Sequence, residues 1–120
     1  VISAGPTTSS REEPYQSEVL ELFDLAAVIG KGGMGEKTLS GLARTKALYL
    51  NAVGGAGSYY AQRLKVVSVF KEEEFGMPEA LWVLEVKNFF AVVTMDFRGN
   101  TFYNHIQEHS SGKLKNLYLP

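Results

Sequence analysis

Cysteine is absent from the 120 residues. Its absence excludes disulfides, a thiol nucleophile and thiolate metal ligands. Histidine is nearly as scarce, with only His105 and His109. Four residues apart, these two fall on one face of a helix, where either a metal pair or a solvated surface accounts for them. No run approaches the roughly 20 apolar residues that a membrane span needs. Excess charge of one sign is missing too: 12 Lys and Arg stand against 13 Asp and Glu, a net charge of −1. Such a balance offers no basic footprint for nucleic acid. Neither a membrane nor a nucleic acid is expected as a partner.

What is present is a globular composition. Apolar residues make up 45% and glycine reaches 12, consistent with a packed core and many tight turns. The length supports a single domain over residues 1–120. Val1-Ile2-Ser3-Ala4 reads as the tail of a buried strand, so the chain is expected to begin inside a longer polypeptide.

Along the chain, residues 15–24 carry Val19, Leu20 and Phe23 at helical spacing. Residues 26–29 form a short apolar run stopped by Gly30, as expected of a buried strand. A second helix is expected to open near Glu36, with Leu39, Leu42 and Ala43 as its buried stripe. Residues 47–53 read as a second strand ended by Gly54-Gly55, and 56–63 as a third helix. This alternation predicts an α/β fold with parallel βα units. Further strands follow over 65–70, 81–87 and 90–97, the last two expected to pair with each other. Lys71-Glu72-Glu73-Glu74 reads as a solvated bend, Trp82 as core, 101–109 as a closing helix, and Ser110-Ser111-Gly112-Lys113 as a mobile tail.

Two loops hold the chemistry. In Gly5-Pro6-Thr7-Thr8-Ser9-Ser10-Arg11, four consecutive hydroxyls precede a guanidinium. The hydroxyls fit caps for the next turn; equally, Arg11 with hydroxyls around it fits a carboxylate gripped by two parallel hydrogen bonds. Glu12 and Glu13 follow at once and offer Arg11 a local counter-charge. In Gly30-Lys31-Gly32-Gly33-Met34-Gly35, a lysine stands among glycines at a strand end. Either this is a tight turn with an exposed lysine, or backbone N–H groups and the positive end of the next helix join Lys31 in holding an anion. The spacing does not match a Walker A loop. By themselves these residues describe an anion-binding half-site.

Taken in order, the motifs resemble a known family. G-P-T-T-x-x-R followed by I-G-K-G-x-M resembles the β component of class I fumarate hydratases and L(+)-tartrate dehydratases, which are iron–sulfur hydro-lyases. The resemblance runs on through Leu50-Asn51-Ala52-Val53-Gly54-Gly55-Ala56 and Tyr60-Ala61-Gln62. It continues in Phe75-Gly76-Met77-Pro78-Glu79-Ala80-Leu81-Trp82, Phe89-Phe90-Ala91-Val92-Val93-Thr94-Met95-Asp96 and Gly99-Asn100. It implies a swivelling β/β/α-type domain with parallel βα units followed by further strands. It also implies a dicarboxylate substrate, fumarate and malate or tartrate, and an α subunit whose cysteines hold a [4Fe–4S] cluster with one open iron. This chain would not ligate that cluster. Thr7 matches the family's catalytic base, Arg11 and Lys31 match its carboxylate ligands, and Thr8 would add a supporting hydroxyl. A hetero- or homo-oligomer in the cytoplasm is the implied setting.

The sequence also departs from the family. Glu12-Glu13 stand where members often carry Met-Asp, and Lys87-Asn88 where Glu-Asp is common. An upstream segment that brings another substrate-binding arginine in the family is absent from these residues. The expectation is therefore a chain that is catalytically silent alone. A non-catalytic anion-binding or assembly module on the same scaffold is the remaining alternative.

Overall fold

The computed structural model describes residues 1–5 and 7–118. After a 3-10 turn (Ser9–Glu12), its elements are α1 (Gln16–Leu22), β1 (Ala27–Gly30), α2 (Glu36–Thr45), β2 (Leu48–Asn51), α3 (Gly57–Ala61) and β3 (Leu64–Phe70). These are followed by α4 (Glu72–Phe75), β4 (Leu81–Val86), β5 (Val92–Met95) and α5 (Phe102–Tyr118). The backbone divides into two units. One holds Val1–Thr7 and Val53–Ala91, the other Thr8–Ala52 and Val92–Pro120.

The second unit carries the loop at 30–35 and is built on β1, β2 and β5. β1 and β2 run parallel, with Ala27 opposite Leu48 and Gly30 opposite Asn51. β5 pairs antiparallel with β2, with Tyr49 opposite Met95. Alternation along 47–50 decides the buried face: Ala47 and Tyr49 are wholly buried, Leu48 and Leu50 partly. α1 and α2 contribute Leu20 and Leu42, both fully buried, and Met34 and Met95 complete the cluster. α2 ends where Lys46 turns left-handed (φ 58°) and its N–H bonds Leu42 O. The two helices lie close. Arg44 Nε donates to Glu21 Oε1 and Arg44 Nη2 to Ser17 Oγ, each at 2.6 Å. A Cβ on Gly41 would stand 2.9 Å from Ser17 Cβ and 3.0 Å from its Cα.

The start of α2 is capped from outside the helix. Its own N-cap, Gly35, has no side chain to serve. The Glu13 carboxylate accepts instead from Gly35 N (2.7 Å), Lys37 N (3.0 Å), Thr38 N (3.2 Å) and Thr38 Oγ1 (2.6 Å). Partial burial works to raise the Glu13 pKa, but these bonds together outweigh it and hold the carboxyl below the usual glutamate range.

In the first unit, β3 and β4 form an antiparallel pair from Leu64 opposite Val86 to Phe70 opposite Leu81, with an irregularity between Val66 and Ser68. Tyr60 anchors the adjoining chain. Its ring stacks on Phe89 at 4.4 Å, and its hydroxyl accepts from Val53 N (2.8 Å) and donates to Phe90 O (3.1 Å).

The helices and strands expected along the chain are present, and β1 and β2 are parallel as the alternation predicts. Several local expectations are corrected. β4 and β5 do not pair with each other: β4 joins β3, and β5 joins β2, where Met95 enters the core. Val1–Ala4 form no strand; Val1 and Ile2 are exposed, and Ala4 N bonds Gly57 O at 3.2 Å. Lys71–Glu74 is exposed, but 72–75 make a helical turn headed by a left-handed Lys71, whose ammonium pairs with Glu74. Trp82 is half-buried rather than core, with Nε1 donating to Met77 O at 3.0 Å. On α2, Ala43 is exposed, and Thr38 and Gly41 take the buried face with Leu42, Gly41 lying against Ser17 of α1. α5 runs through Ser110–Lys113 to Tyr118. One glycine inside costs a helix about 1 kcal/mol and does not end this one. Among the described residues no helix is long and apolar enough to cross a membrane.

Gly41→Ala should destabilise the fold even though alanine is the better helix former, because overpacking against Ser17 costs about 1–3 kcal/mol. Gly112→Ala, in a part of α5 with nothing within 4 Å, should stabilise it by about 0.5–1 kcal/mol. Urea unfolding of the two variants reads both signs; a stabilised Gly41→Ala would mean that the helices do not touch there.

Glu13→Gln should cost about 1 kcal/mol near neutral pH, the usual worth of a cap. Because the folded pKa is depressed, ionised Glu13 stabilises fully above the unfolded value of about 4.3. That contribution is lost as pH falls through the lower folded value. The gap between wild type and variant should therefore narrow as pH falls below the unfolded value. A gap independent of pH would rule out an ionised cap.

Candidate functional site

The hydroxyl-rich loop meets the 30–35 loop through Ser9. Its Oγ accepts the Lys31 N–H at 2.8 Å and bonds the Tyr49 hydroxyl. Gly30 makes room for this meeting, since a Cβ there would fall 2.2 Å from Ser9 Oγ and 2.5 Å from Tyr49 Oη. The second tie is Glu13 on α2. Ser9 and Glu13 flank a single 3-10 turn, and Arg11 lies between them.

The 30–35 loop is held from three sides. Gly32 adopts φ +77°, a conformation that favours glycine. Its N–H donates to Asn51 Oδ1 at 2.9 Å. Its carbonyl accepts from Tyr49 Oη at 3.0 Å and from Tyr103 Oη at 2.5 Å. Tyr103 Oη also lies 2.9 Å from Thr94 Oγ1. Burial pushes the Tyr49 hydroxyl pKa up, against the opposing Ser9 bond and with a smaller push from Tyr103, which keeps it a proton donor. Asn51 ends β2 and the loop follows β1, so both stand at the carboxyl edge of the parallel pair. In open α/β sheets this is where ligands bind.

The candidate residues fall as follows. Thr7 is exposed and belongs to the first unit. Thr8, Arg11 and Lys31 belong to the second. Thr8 and Arg11 are exposed and Lys31 half-buried. Arg11 and Lys31 therefore sit on two loops whose backbones are fastened together. Pro6 lies outside the described residues.

Three expectations change. Thr8 precedes the 3-10 turn in an extended conformation, and its side chain makes no capping bond; Ser9 reaches across the chain instead. The counter-charge expected beside Arg11 is directed elsewhere, because Glu13 faces α2, and Arg11 makes no ion pair among the described residues. The backbone cradle is partly filled from within. Lys31, Gly32 and Gly35 N–H groups are engaged by Ser9, Asn51 and Glu13, and Glu13 occupies the positive end of α2. Positive charge on this edge comes from side chains.

Sequence reasoning missed Ser9, Glu13, Tyr49, Asn51 and Tyr103 as parts of this edge. Asn51 carried a usable signal, as a polar residue closing an apolar strand. The others required knowing which chain segments meet. His105 and His109 are exposed on α5. Among the described residues no three His, Cys, Asp or Glu side chains gather to hold a metal. With no cysteine in the sequence, the residues of this chain do not fit a [4Fe–4S] cluster.

Comparison with known proteins gives the family. A family model described as fumarase C-terminus matches residues 1–106. A Geobacillus stearothermophilus protein bearing the name fumarate hydratase class I is 51% identical over 120 residues, covering 100% of this chain and 23% of the relative. A Methanocaldococcus jannaschii protein named as L(+)-tartrate dehydratase subunit beta is 39% identical over 118 residues, 97% of this chain and 60% of the relative. The L(+)-tartrate dehydratase subunit beta of Escherichia coli K12 is 39% identical over 101 residues, 83% of this chain and 50% of the relative. The chain thus spans between about a quarter and three-fifths of these relatives. With both loops inside the matched span, the chain belongs to the fumarase C-terminus family.

Proposed function

We propose that this chain is the β component of an iron–sulfur hydro-lyase that adds water reversibly across the double bond of fumarate, giving malate. Its share of the work is to bind the dicarboxylate and to move the carbon-bound proton. The [4Fe–4S] cluster belongs, in this reading, to an α component that completes the enzyme as an oligomer. The observation that best supports the reading is the fastening of the Arg11 turn to the Lys31 loop, through Ser9 Oγ to Lys31 N at 2.8 Å and through Glu13. Two cation-bearing segments with few conformations left to lose are suited to a rigid dianion.

In the dehydration direction, the proton on the carbon beside a carboxylate passes to the Thr7 oxygen. The C–H electron pair becomes the new C=C bond, and the hydroxyl on the neighbouring carbon departs with its C–O electron pair and takes up the proton that Thr7 removed, so that one water is released. Enolate-like charge builds on the adjacent carboxylate as the proton leaves. Arg11, fixed at that carboxylate, stabilises it, while Lys31 holds the substrate as a carboxylate-binding cation and Thr8 adds a hydroxyl donor. A threonine alkoxide forms only in a strongly positive field, so Thr7 relies on the assembled site for its basicity. Tartrate is the second reading, favoured by the two relatives named as β subunits, which this chain covers over 60% and 50% of their length.

Anaerobic mixing with a cluster-loaded α component should consume fumarate, read as loss of its absorbance, and neither chain alone should do so. Turnover of tartrate without fumarate would favour the second reading; turnover of neither, nor of malate, would sink both. Lys31→Met should raise the KM for the dicarboxylate by about tenfold or more, the loss expected for a charged hydrogen bond. Thr7→Ala should lower kcat by about 10²–10⁴ while assembly, followed by gel filtration, is retained.

A further inference from the structure

The Lys31–Gly32 segment receives more support than a surface turn requires. Ser9 takes the Lys31 N–H, Asn51 takes the Gly32 N–H, and Tyr49 and Tyr103 both bond the Gly32 carbonyl. The proton count sets the directions. The carbonyl only accepts, so each tyrosine gives it its single proton. Tyr103 Oη then has only acceptor capacity left, and Thr94 Oγ1, 2.9 Å away, donates to it. Of the two tyrosines, Tyr49 belongs to the core and is wholly buried. Tyr103 is half-buried at the head of α5, its ring at the margin of the core cluster.

Both ends of this contact are shaped for it. A Cβ on Gly33 would stand 3.0 Å from the Tyr103 ring, so any side chain there would crowd the ring. At the other end, Asp96 sets the start of α5. Its carboxylate accepts from Arg98 N (2.9 Å), Asn100 N (3.0 Å) and Asn100 Nδ2 (2.8 Å). This braces the turn that delivers Tyr103.

We propose that Tyr103 is a positioning residue: its hydroxyl fixes the Gly32 carbonyl so that the neighbouring Lys31 ammonium is presented to the substrate carboxylate. The inference rests on the reading of Lys31 as a carboxylate ligand. Tyr103 touches no reacting atom, and it governs affinity through the lysine rather than the proton transfer. A ligand held equally well before and during reaction sets KM and leaves kcat unchanged.

Tyr103→Phe keeps the ring and removes only the hydroxyl. In the α-reconstituted enzyme it should raise KM by about 3- to 10-fold with kcat within about twofold. In a Lys31→Met background the same change should leave KM unmoved, because the group it positions is gone. An unchanged KM in the first case, or an equal rise in both backgrounds, overturns the proposal. Amide hydrogen exchange on the full chain tests the positioning without turnover. Lys31 and Gly32 amides should exchange several-fold faster in Tyr103→Phe, while the Leu42 amide of α2 keeps its protection. Unchanged exchange at both loop amides overturns the proposal even if the enzyme is active. An enzyme with no dicarboxylate turnover but faster loop exchange would overturn the function assigned to the chain and leave the positioning standing.

Discussion

The Glu13 carboxylate occupies the N-terminus of α2, where three backbone amides and the Thr38 hydroxyl converge on it. Helix termini leave such groups unpaired, and they must be satisfied by something. Here the partner comes from the residue that closes the 3-10 turn, so a local requirement of one helix becomes a long-range tie between two loops. Ser9, at the start of that turn, makes the other tie to Lys31. Arg11 is carried between the two and inherits its location from them.

That arrangement has a chemical consequence. A glycine-rich loop before a helix commonly binds anions through backbone amides and the helix dipole. In this chain the Lys31, Gly32 and Gly35 amides are already engaged, and an internal carboxylate sits at the dipole. In the function we propose, a dicarboxylate is recognised by the side chains of Arg11 and Lys31, whose direction depends on how rigidly their backbones are held. The bonds from Asn51, Tyr49 and Tyr103 to Gly32 supply that rigidity. Preorganised charge is worth more than mobile charge, because no reorganisation is needed when the reaction occurs.

Much of the fold was legible in the sequence because it rests on local periodicity. Val19 and Leu20 marked α1, the apolar run stopped by Gly30 marked β1, and residues 47–53, ended by Gly54-Gly55, marked β2. What failed was pairing. Nothing local distinguishes a β5 that joins β4 from one that joins β2, since the choice depends on burying Met95 beside Tyr49. Ser110–Gly112 has the composition of a frayed tail, yet α5 continues through it, since propagating a helix costs less than starting one.

The sequence by itself determined the family, the α/β order of its elements and the candidate residues Thr7, Thr8, Arg11 and Lys31. Residue type and spacing carry that information directly. Only the tertiary structure decided that Glu13 is a cap rather than a counter-ion to Arg11, that Ser9 is the hydroxyl that ties its loop to Lys31, and that Tyr103 reaches Gly32. Each of those bonds joins segments at least 22 residues apart. A hydrogen bond of that span depends on which surfaces the core brings together, and composition along the chain does not encode it locally.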